Sequence, residues 1–243
     1  MPNYQGVWSL TVQMQNVSDW PTFVLQRALF YGGTDLSGNN VDTIDYVTPT
    51  TLGNAADFGN MSAARTYVVG GFGSTTRGIT GGGSPTGGGY SNVIDYVTYA
   101  TLGNATDFGD FTGACANGGS TSNQTRGIAA LGIVGGSQVN TMDYVTIAST
   151  GNASDFGDRT AALAYFCGAV SSSTRSVFGG GYVSGNSNII DYVTIASTGN
   201  ATDFGDLTQA RYGNGGVGSS TRGVFGGGYA SNVVNTMDYI TIA

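Results

Sequence analysis

Ile190-Asp191-Tyr192-Val193-Thr194-Ile195-Ala196-Ser197-Thr198-Gly199-Asn200-Ala201-Thr202-Asp203-Phe204-Gly205-Asp206 is the stretch that decides the fold, because near copies of it recur along the chain. Its first Asp-Tyr pair returns with the Asp at Asp45, Asp95, Asp143, Asp191 and Asp238. Its Asp-Phe-Gly returns with the Phe at Phe58, Phe108, Phe156 and Phe204. Working outward, a Thr-Arg-Gly-Val-Phe-Gly-Gly-type run precedes each copy, with its Arg at Arg27, Arg77, Arg126, Arg175 and Arg222, spaced by 50, 49, 49 and 47 residues. A self-similar period near 50 residues marks a repeat architecture, in which each unit buries its apolar face against its neighbours.

The spacings separate rigid parts from loose ones. From the Ile or Met before each Asp-Tyr to the following Phe is 14 residues in all four copies, whereas from the repeat Arg to that Ile or Met is 17, 17, 16, 15 and 15. Constant spacing predicts strands locked in register, and the variable Gly-, Ser- and Asn-rich connections predict loops on one rim. Each unit reads as four short strands: one beginning near Ala64-Arg65-Thr66-Tyr67, one through Arg-Gly-Val-Phe-Gly-Gly, one through Ile-Asp-Tyr-Val-Thr-Ile, one through Asp-Phe-Gly-Asp. Apolar bulk on both faces of the third strand suits a sheet packed between two others. The expectation is an all-β, five-bladed propeller of four-stranded antiparallel blades spanning 1–243 as a single domain, its repeats starting near 22, 64, 114, 162 and 210.

The last unit stops after its Asp-Tyr strand, without an Asp-Phe-Gly of its own. Counting back from Arg27 as the other copies count back from their Arg sets Trp8-Ser9 where Asp-Phe stands. Residues 1–21 are therefore expected to close the ring, with 5–14 as the outer strand of the last blade, Trp8 replacing the Phe and no sheet edge left bare.

Composition agrees with a folded β protein. Of 243 residues, 42 are Gly, but 14 Tyr and 11 Phe accompany them, which disorder would not carry. Charged residues are 9% against about 25% in a typical domain. All positive side chains are Arg, all negative ones Asp, and the net charge is −7. With no basic cluster to track phosphates, nucleic acid is not an expected partner, and neither is an anionic membrane surface. The opening residues lack a basic-then-apolar signal pattern, and no apolar run reaches the roughly 20 residues that span a bilayer. Cys115 and Cys167 show no metal or disulfide spacing and read as buried small hydrophobes.

The Gly-Gly doublet, the Tyr, the aromatic about a dozen residues later and the Arg resemble the kelch repeat over residues 22–243, with Phe where kelch carries Trp. The wording of the repeat resembles repeats in virion proteins of tailed bacteriophages, and Gly6-Val7-Trp8-Ser9-Leu10, Gln13 and Trp20-Pro21 are similar to the start of phage minor tail proteins. The resemblance implies a propeller in a virion tail or fibre that touches a host-surface glycan or another virion protein, with a homo-oligomer allowed. A free lectin-like propeller is the alternative.

Five copies of Arg and Asp suggest an architectural Arg–Asp bond within each blade: Arg27 with Asp45, Arg77 with Asp95, Arg126 with Asp143, Arg175 with Asp191, Arg222 with Asp238. Asp57, Asp107, Asp155 and Asp203, with Asp110, Asp158 and Asp206, suit turns better than a Ca²⁺ site, so no cofactor is expected. Asp-Phe-Gly without a His-Arg-Asp or a strand Lys is no kinase motif, and the Gly runs are no phosphate loops. With no Lys, Glu or His, acid–base chemistry would rest on Asp, Tyr and Cys alone, and no catalytic residue is expected. Ligand contact is expected on the variable loops, at Asp35, Asn39, Tyr90, Gln138, Tyr182, Asn186, Tyr229 and Asn232.

Overall fold

The structure is a computed structural model that describes residues 27–242. The first blade holds β1 (Ala28–Thr34), β2 (Asn40–Val47) and β3 (Ala56–Asn60), hydrogen-bonded in that order. A short β4 (Arg65–Thr66) leads to the second blade, β5 (Gly71–Gly73), β6 (Arg77–Gly81), a two-residue β7 (Ser84–Pro85) that pairs back onto β4, β8 (Ser91–Thr98) and the long β9 (Thr106–Ala116). The third contains β10 (Gly119–Ser122), β11 (Arg126–Ala130), the small hairpin β12 (Ile133–Val134) and β13 (Ser137–Gln138), β14 (Thr141–Thr146) and β15 (Ser154–Asp158). The fourth is β16 (Gly168–Ser171), β17 (Arg175–Tyr182), β18 (Asn186–Thr194) and β19 (Thr202–Asp206), and the fifth is β20 (Gly215–Gly218), β21 (Arg222–Gly226) and β22 (Met237–Thr241). Among the described residues there is no helix, and every strand pairing within a blade is antiparallel. This is the expected five-bladed propeller. Its proposed closing segment, residues 1–21, lies outside the described residues.

The innermost strand of each blade starts later than expected. It begins at Gly71, Gly119, Gly168 and Gly215, because the residues just upstream turn through left-handed backbone instead of extending. Tyr67, Asn117 and Phe166 have φ of 57°, 59° and 58°, and Gly213 stands at 65°. Their backbones are linked from blade to blade: Asn117 N–H donates to the Tyr67 carbonyl, Phe166 N–H to Asn117, and Gly213 N–H to both Tyr165 and Phe166.

Apolar layers fill the space between successive blades. One joins Val69, Phe72, Ile79 and Ile94 to Phe108 and Val145; the next joins Ile128 and Met142 to Phe156 and Phe178. Close approach there requires glycine: a Cβ on Gly127 would run into the Phe72 ring. At the rim, the Gly-Asn-Ala of the second, third and fourth units pairs with the outer strand of the unit before it. Gly151 N–H donates to Phe108 and Ala153 N–H to Asp110, while Asn152 Oδ1 accepts from Asp110 N–H at 3.1 Å. The same pattern joins 199–201 to β15 and 103–105 to β3. The Gly of Asp-Phe-Gly is explained by this contact, since Gly109 has φ +141° and its Cβ would overlap the Gly151 carbonyl oxygen.

The Arg–Asp expectation needs correction. In β6 and β8, Arg77 faces Thr98 across the ladder while Asp95 faces Thr80, so the two side chains are offset by three residues. Each repeat Arg instead sets its guanidinium over its own blade's Tyr: Arg27 over Tyr46, Arg77 over Tyr96, Arg126 over Tyr144, Arg175 over Tyr192 and Arg222 over Tyr239, at 4.4–4.9 Å from the ring centroid. That Tyr meets the Phe of Asp-Phe-Gly edge-on at 5.8–5.9 Å in four blades. The guanidinium also reaches into the next blade, Arg77 to the Ile147 carbonyl, Arg126 to Ile195 and Arg175 to Ile242, with Arg27 on Tyr99. A planar cation that stacks and donates at once is what Lys cannot supply, which gives a physical reason for Arg at these five positions.

The Asp residues take other partners. Asp95 pairs with Arg65, Asp191 with Arg159 at 3.0 Å and Asp238 with Arg211 at 2.7 Å. Arg65 and Arg211 stand at matching places upstream of the inner strands, but Arg159 takes the place held elsewhere by Met61, Phe111 or Leu207. Asp143 is also fully buried, and it takes the Thr112 N–H and hydroxyl as donors; Cys115 occupies the site where Arg65 stands one blade earlier. Burial, against those two donors, pushes the Asp143 carboxyl above its ordinary range.

Candidate functional site

Two concavities lie at opposite ends of the inner strands. At the turn end, Ser122, Asn123, Gln124 and Thr125 with Ser171–Ser173 and Ser220 line a polar basin of about 340 Å³. Several polar groups in and beside it serve the fold. Ser172 and Ser219 accept N–H bonds from their own turns, Gln124 accepts from Thr75 N–H, and Asn123 donates to the Ser173 carbonyl.

The other end is aromatic. Tyr165, Tyr182 and Tyr212 line a cleft of about 340 Å³ at the seam between the fourth and fifth blades. Their ring centroids are 5.6 Å (Tyr165–Tyr182), 5.7 Å (Tyr182–Tyr212) and 6.0 Å (Tyr165–Tyr212) apart, and Tyr229 lies 5.5 Å beyond Tyr212. Backbone pairing sets this spacing. Tyr182 exchanges both bonds with Ala164, which brings Tyr165 beside it, and Tyr212 exchanges both with Tyr229. Tyr165 itself has φ of 61°, a conformation a bulky residue adopts only when its surroundings hold it. Strain of this kind gathers at ligand sites, and here it turns one aromatic ring outward from the inner-strand entry. Tyr165 and Tyr229 are about two-fifths exposed, so ring surface is open to solvent rather than sealed in the core. On the far side of the same arc, Phe166 packs 6.0 Å from Tyr67.

The eight loop residues expected to touch a ligand divide into three groups. Tyr182 and Tyr229 stand in the cleft. Gln138 and Asn186 are not free for a ligand as their loops suggested: the Gln138 amide donates to the Tyr182 carbonyl at 3.1 Å and Asn186 to Ala230 at 2.7 Å, and Asn40 does the same to Ser84. These amides latch each loop to that of the next blade, because a loop without regular pairing must satisfy its carbonyls somehow. Asp35 and Asn39 close on each other in one turn of the first blade; the Asn39 backbone and side-chain donors hold the Asp35 carboxyl below its usual range. Tyr90 is half-buried beside that loop's counterpart in the second blade, and Asn232 lends its carbonyl to Ala230 N–H. None of these four joins the tyrosines.

Sequence reasoning missed Tyr165 and Tyr212. Their signal was present: Tyr67, Tyr165 and Tyr212 each stand ten residues before a repeat Arg, with Ala116 at that place in the third unit. The repeat pattern sets them on a strand, where they would face a neighbour instead of solvent.

Nothing here gathers a metal: no group of three or more His, Cys, Asp or Glu suited to a cation comes together among the described residues. Asp107 and Asp155, weighed for Ca²⁺, accept the N–H of Gly109 and Gly157 in their own bulges. Cys115 and Cys167 are buried free thiols whose pKa values burial pushes up. No helix among the described residues is long and apolar enough to cross a membrane. Neither a protein-family model nor a curated protein matches this sequence, so the tyrosine cleft on a five-bladed propeller is what any functional reading has to explain.

Proposed function

We propose that this propeller is a non-catalytic recognition module whose tyrosine cleft binds a carbohydrate chain. The single observation that carries the reading is the set of mutually braced rings, Tyr165, Tyr182, Tyr212 and Tyr229, left partly open at a rigid seam. A Tyr ring offers a flat apolar face to the C–H side of a sugar and a hydroxyl to its polar edge, at small cost in side-chain entropy. Pockets of several hundred Å³ with few polar groups are the usual size and character for such ligands. The absence of Lys, Glu and His supports a binding role over catalysis. The likeness of the repeats to tailed-phage virion proteins supports a tail or fibre as the setting, where the glycan belongs to a host surface.

A glycan array followed by titration calorimetry tests this. Selective binding that falls at least tenfold in Tyr212→Ala and Tyr182→Ala, and is unchanged by chelator, is expected. A blank array, or binding indifferent to both substitutions, refutes the cleft as the site and favours a protein partner.

A further inference from the structure

The shape of the tyrosine cleft bears on the charge of what it holds. Its three lining rings do not share a plane: Tyr165 and Tyr182 meet at 88°, Tyr182 and Tyr212 at 79°, and Tyr165 and Tyr212 at 58°. A sugar ring stacks on one flat aromatic face, and steeply angled faces offer it no wider platform. They do offer a corner. The three centroids are 5.6–6.0 Å apart, so a point about 3 Å off their common plane lies within roughly 5 Å of every one, inside the range of about 6 Å over which a ring attracts a cation. Several electron-rich rings around one point form the arrangement that recognises an ammonium group, above all a methylated one. The backbone exchange of Tyr182 with Ala164 and of Tyr212 with Tyr229 keeps these rings in place without a ligand.

The surrounding charge agrees. The chain's cationic side chains are eight Arg, and each is engaged elsewhere. Five stack on the Tyr rings of their own blades, and three pair with Asp95, Asp191 and Asp238. The stacked ones stand at the far end of the second strand from the cleft: β17 opens at Arg175 and closes at Tyr182, a run of about 20 Å. Arg211, next to Tyr212 in sequence, is 0% exposed, and Asp238 meets its charge at 2.7 Å. Among the described residues, which include all eight Arg, an acidic sugar in the cleft would therefore find no guanidinium to receive its carboxylate or sulfate. Asp57, Asp107, Asp155, Asp203 and Asp206 are exposed on the outer strands of a chain of net charge −7, and such a field repels an anion and draws in a cation. We infer that the group seated among Tyr165, Tyr182 and Tyr212 is an ammonium, so that the glycan recognised carries a cationic nitrogen, on a free amino sugar or a quaternary ammonium substituent. This rests on the reading of the cleft as a glycan site and adds the charge of the part that enters it. One ring keeps a face for the C–H side of the sugar while the corner takes the nitrogen.

Choline and 3,3-dimethylbutan-1-ol have nearly the same shape and differ in charge, so titrating each into the full-length protein by calorimetry isolates the cation. Choline is expected to bind at least about tenfold more tightly than the neutral isostere. It should keep that affinity in Tyr182→Phe, which retains the ring, and lose most of it in Tyr182→Leu and Tyr212→Leu, which retain bulk alone. A glucosamine oligomer at mildly acidic pH, with its amines protonated, is expected to outbind its N-acetylated counterpart, and comparing the choline and amino-sugar arms tells which source of ammonium is preferred. The inference is overturned if neither cation outbinds its neutral counterpart, or if the bound cation is indifferent to both Leu variants. The wild-type comparison decides even where a Leu variant folds poorly. Neutral glycans held in a Tyr212-dependent way, with no preference for a cation, would overturn this inference and leave the glycan reading standing. Cation selectivity at the rings with no oligosaccharide bound would overturn the glycan reading and leave the ammonium site.

Discussion

Replacing Arg65 by Met tests how the blades tolerate buried charge. Arg65 and Asp95 are 1% and 0% exposed. Arg65 donates to Asp95, to the Gly82 and Val93 carbonyls and to Ser91 Oγ, and Asp95 also accepts from the Ser62 N–H and hydroxyl. Arg65→Met keeps the apolar stem and strands the carboxylate with the Ser62 donors alone, the situation Asp143 already occupies with Thr112. Breaking one side of a buried pair costs about 3–5 kcal/mol, a large share of the roughly 5–15 kcal/mol of a typical domain. Asp95 in the variant acquires a raised folded-state pKa, as Asp143 has. The sign follows: such a group stabilises below its unfolded pKa, about 3.9, and that contribution is lost as pH rises through the folded value. The deficit relative to wild type is therefore largest at neutral pH and shrinks at mildly acidic pH. Arg65→Met/Asp95→Asn removes the stranded charge and leaves roughly 1–2 kcal/mol, mainly the Gly82 carbonyl that loses its donor. Urea melts of the three proteins at pH 7 and near pH 4.5 measure all of this. A single-variant deficit under about 1 kcal/mol, or one identical at both pH values, would refute the claim that the pair is electrostatically coupled.

Asp143→Asn keeps the Thr112 contacts and removes a buried charge that lacks an Arg, so thermal melts at pH 7 are expected to show a higher Tm than wild type, the gain fading toward low pH. Gly109→Ala strains a positive-φ position and drives a methyl into the Gly151 carbonyl; a loss of about 2–4 kcal/mol in chemical denaturation is expected, against under about 1 kcal/mol for Gly185→Ala, whose Cβ meets open space and whose backbone is outside the left-handed region. Cys115 and Cys167, buried with raised pKa, are expected to stay silent to a thiol reagent in the native protein and to react as two thiols in denaturant.

Most of the scaffold was legible because its determinants are local and repeated. The fixed 14-residue interval between the Ile or Met and the Phe is the third strand, the rim turn and the fourth strand, and β8–β9 and β14–β15 keep the same bulge and register. The ion pairs were not legible. Asp95 sits one residue from Tyr96, and only the pleat decides that the Arg of the neighbouring strand takes the ring while an Arg from outside the sheet takes the acid. Arg159 was hidden further, since it arises at a position that is apolar in every other unit. The cleft was half legible: loop variability pointed to Tyr182 and Tyr229, but Tyr165 and Tyr212 depend on a left-handed backbone turn that no side-chain pattern announces. Gln138 and Asn186 look like recognition residues for the same reason that they serve as latches, a long amide on a loop rich in unpaired carbonyls.

The guanidinium that stacks in one blade and donates into the next makes the units unequal to a string of beads. Unfolding a blade withdraws the carbonyl on which the preceding blade's Arg depends and removes the Arg that donates to a carbonyl of the blade that follows. Damage is therefore shared at once with both neighbours, and partly opened forms carry a penalty at two seams rather than one. A ring wired in this way favours all-or-none survival: a protease finds few half-open molecules to cut, and a pull applied at one rim is borne by several blades together.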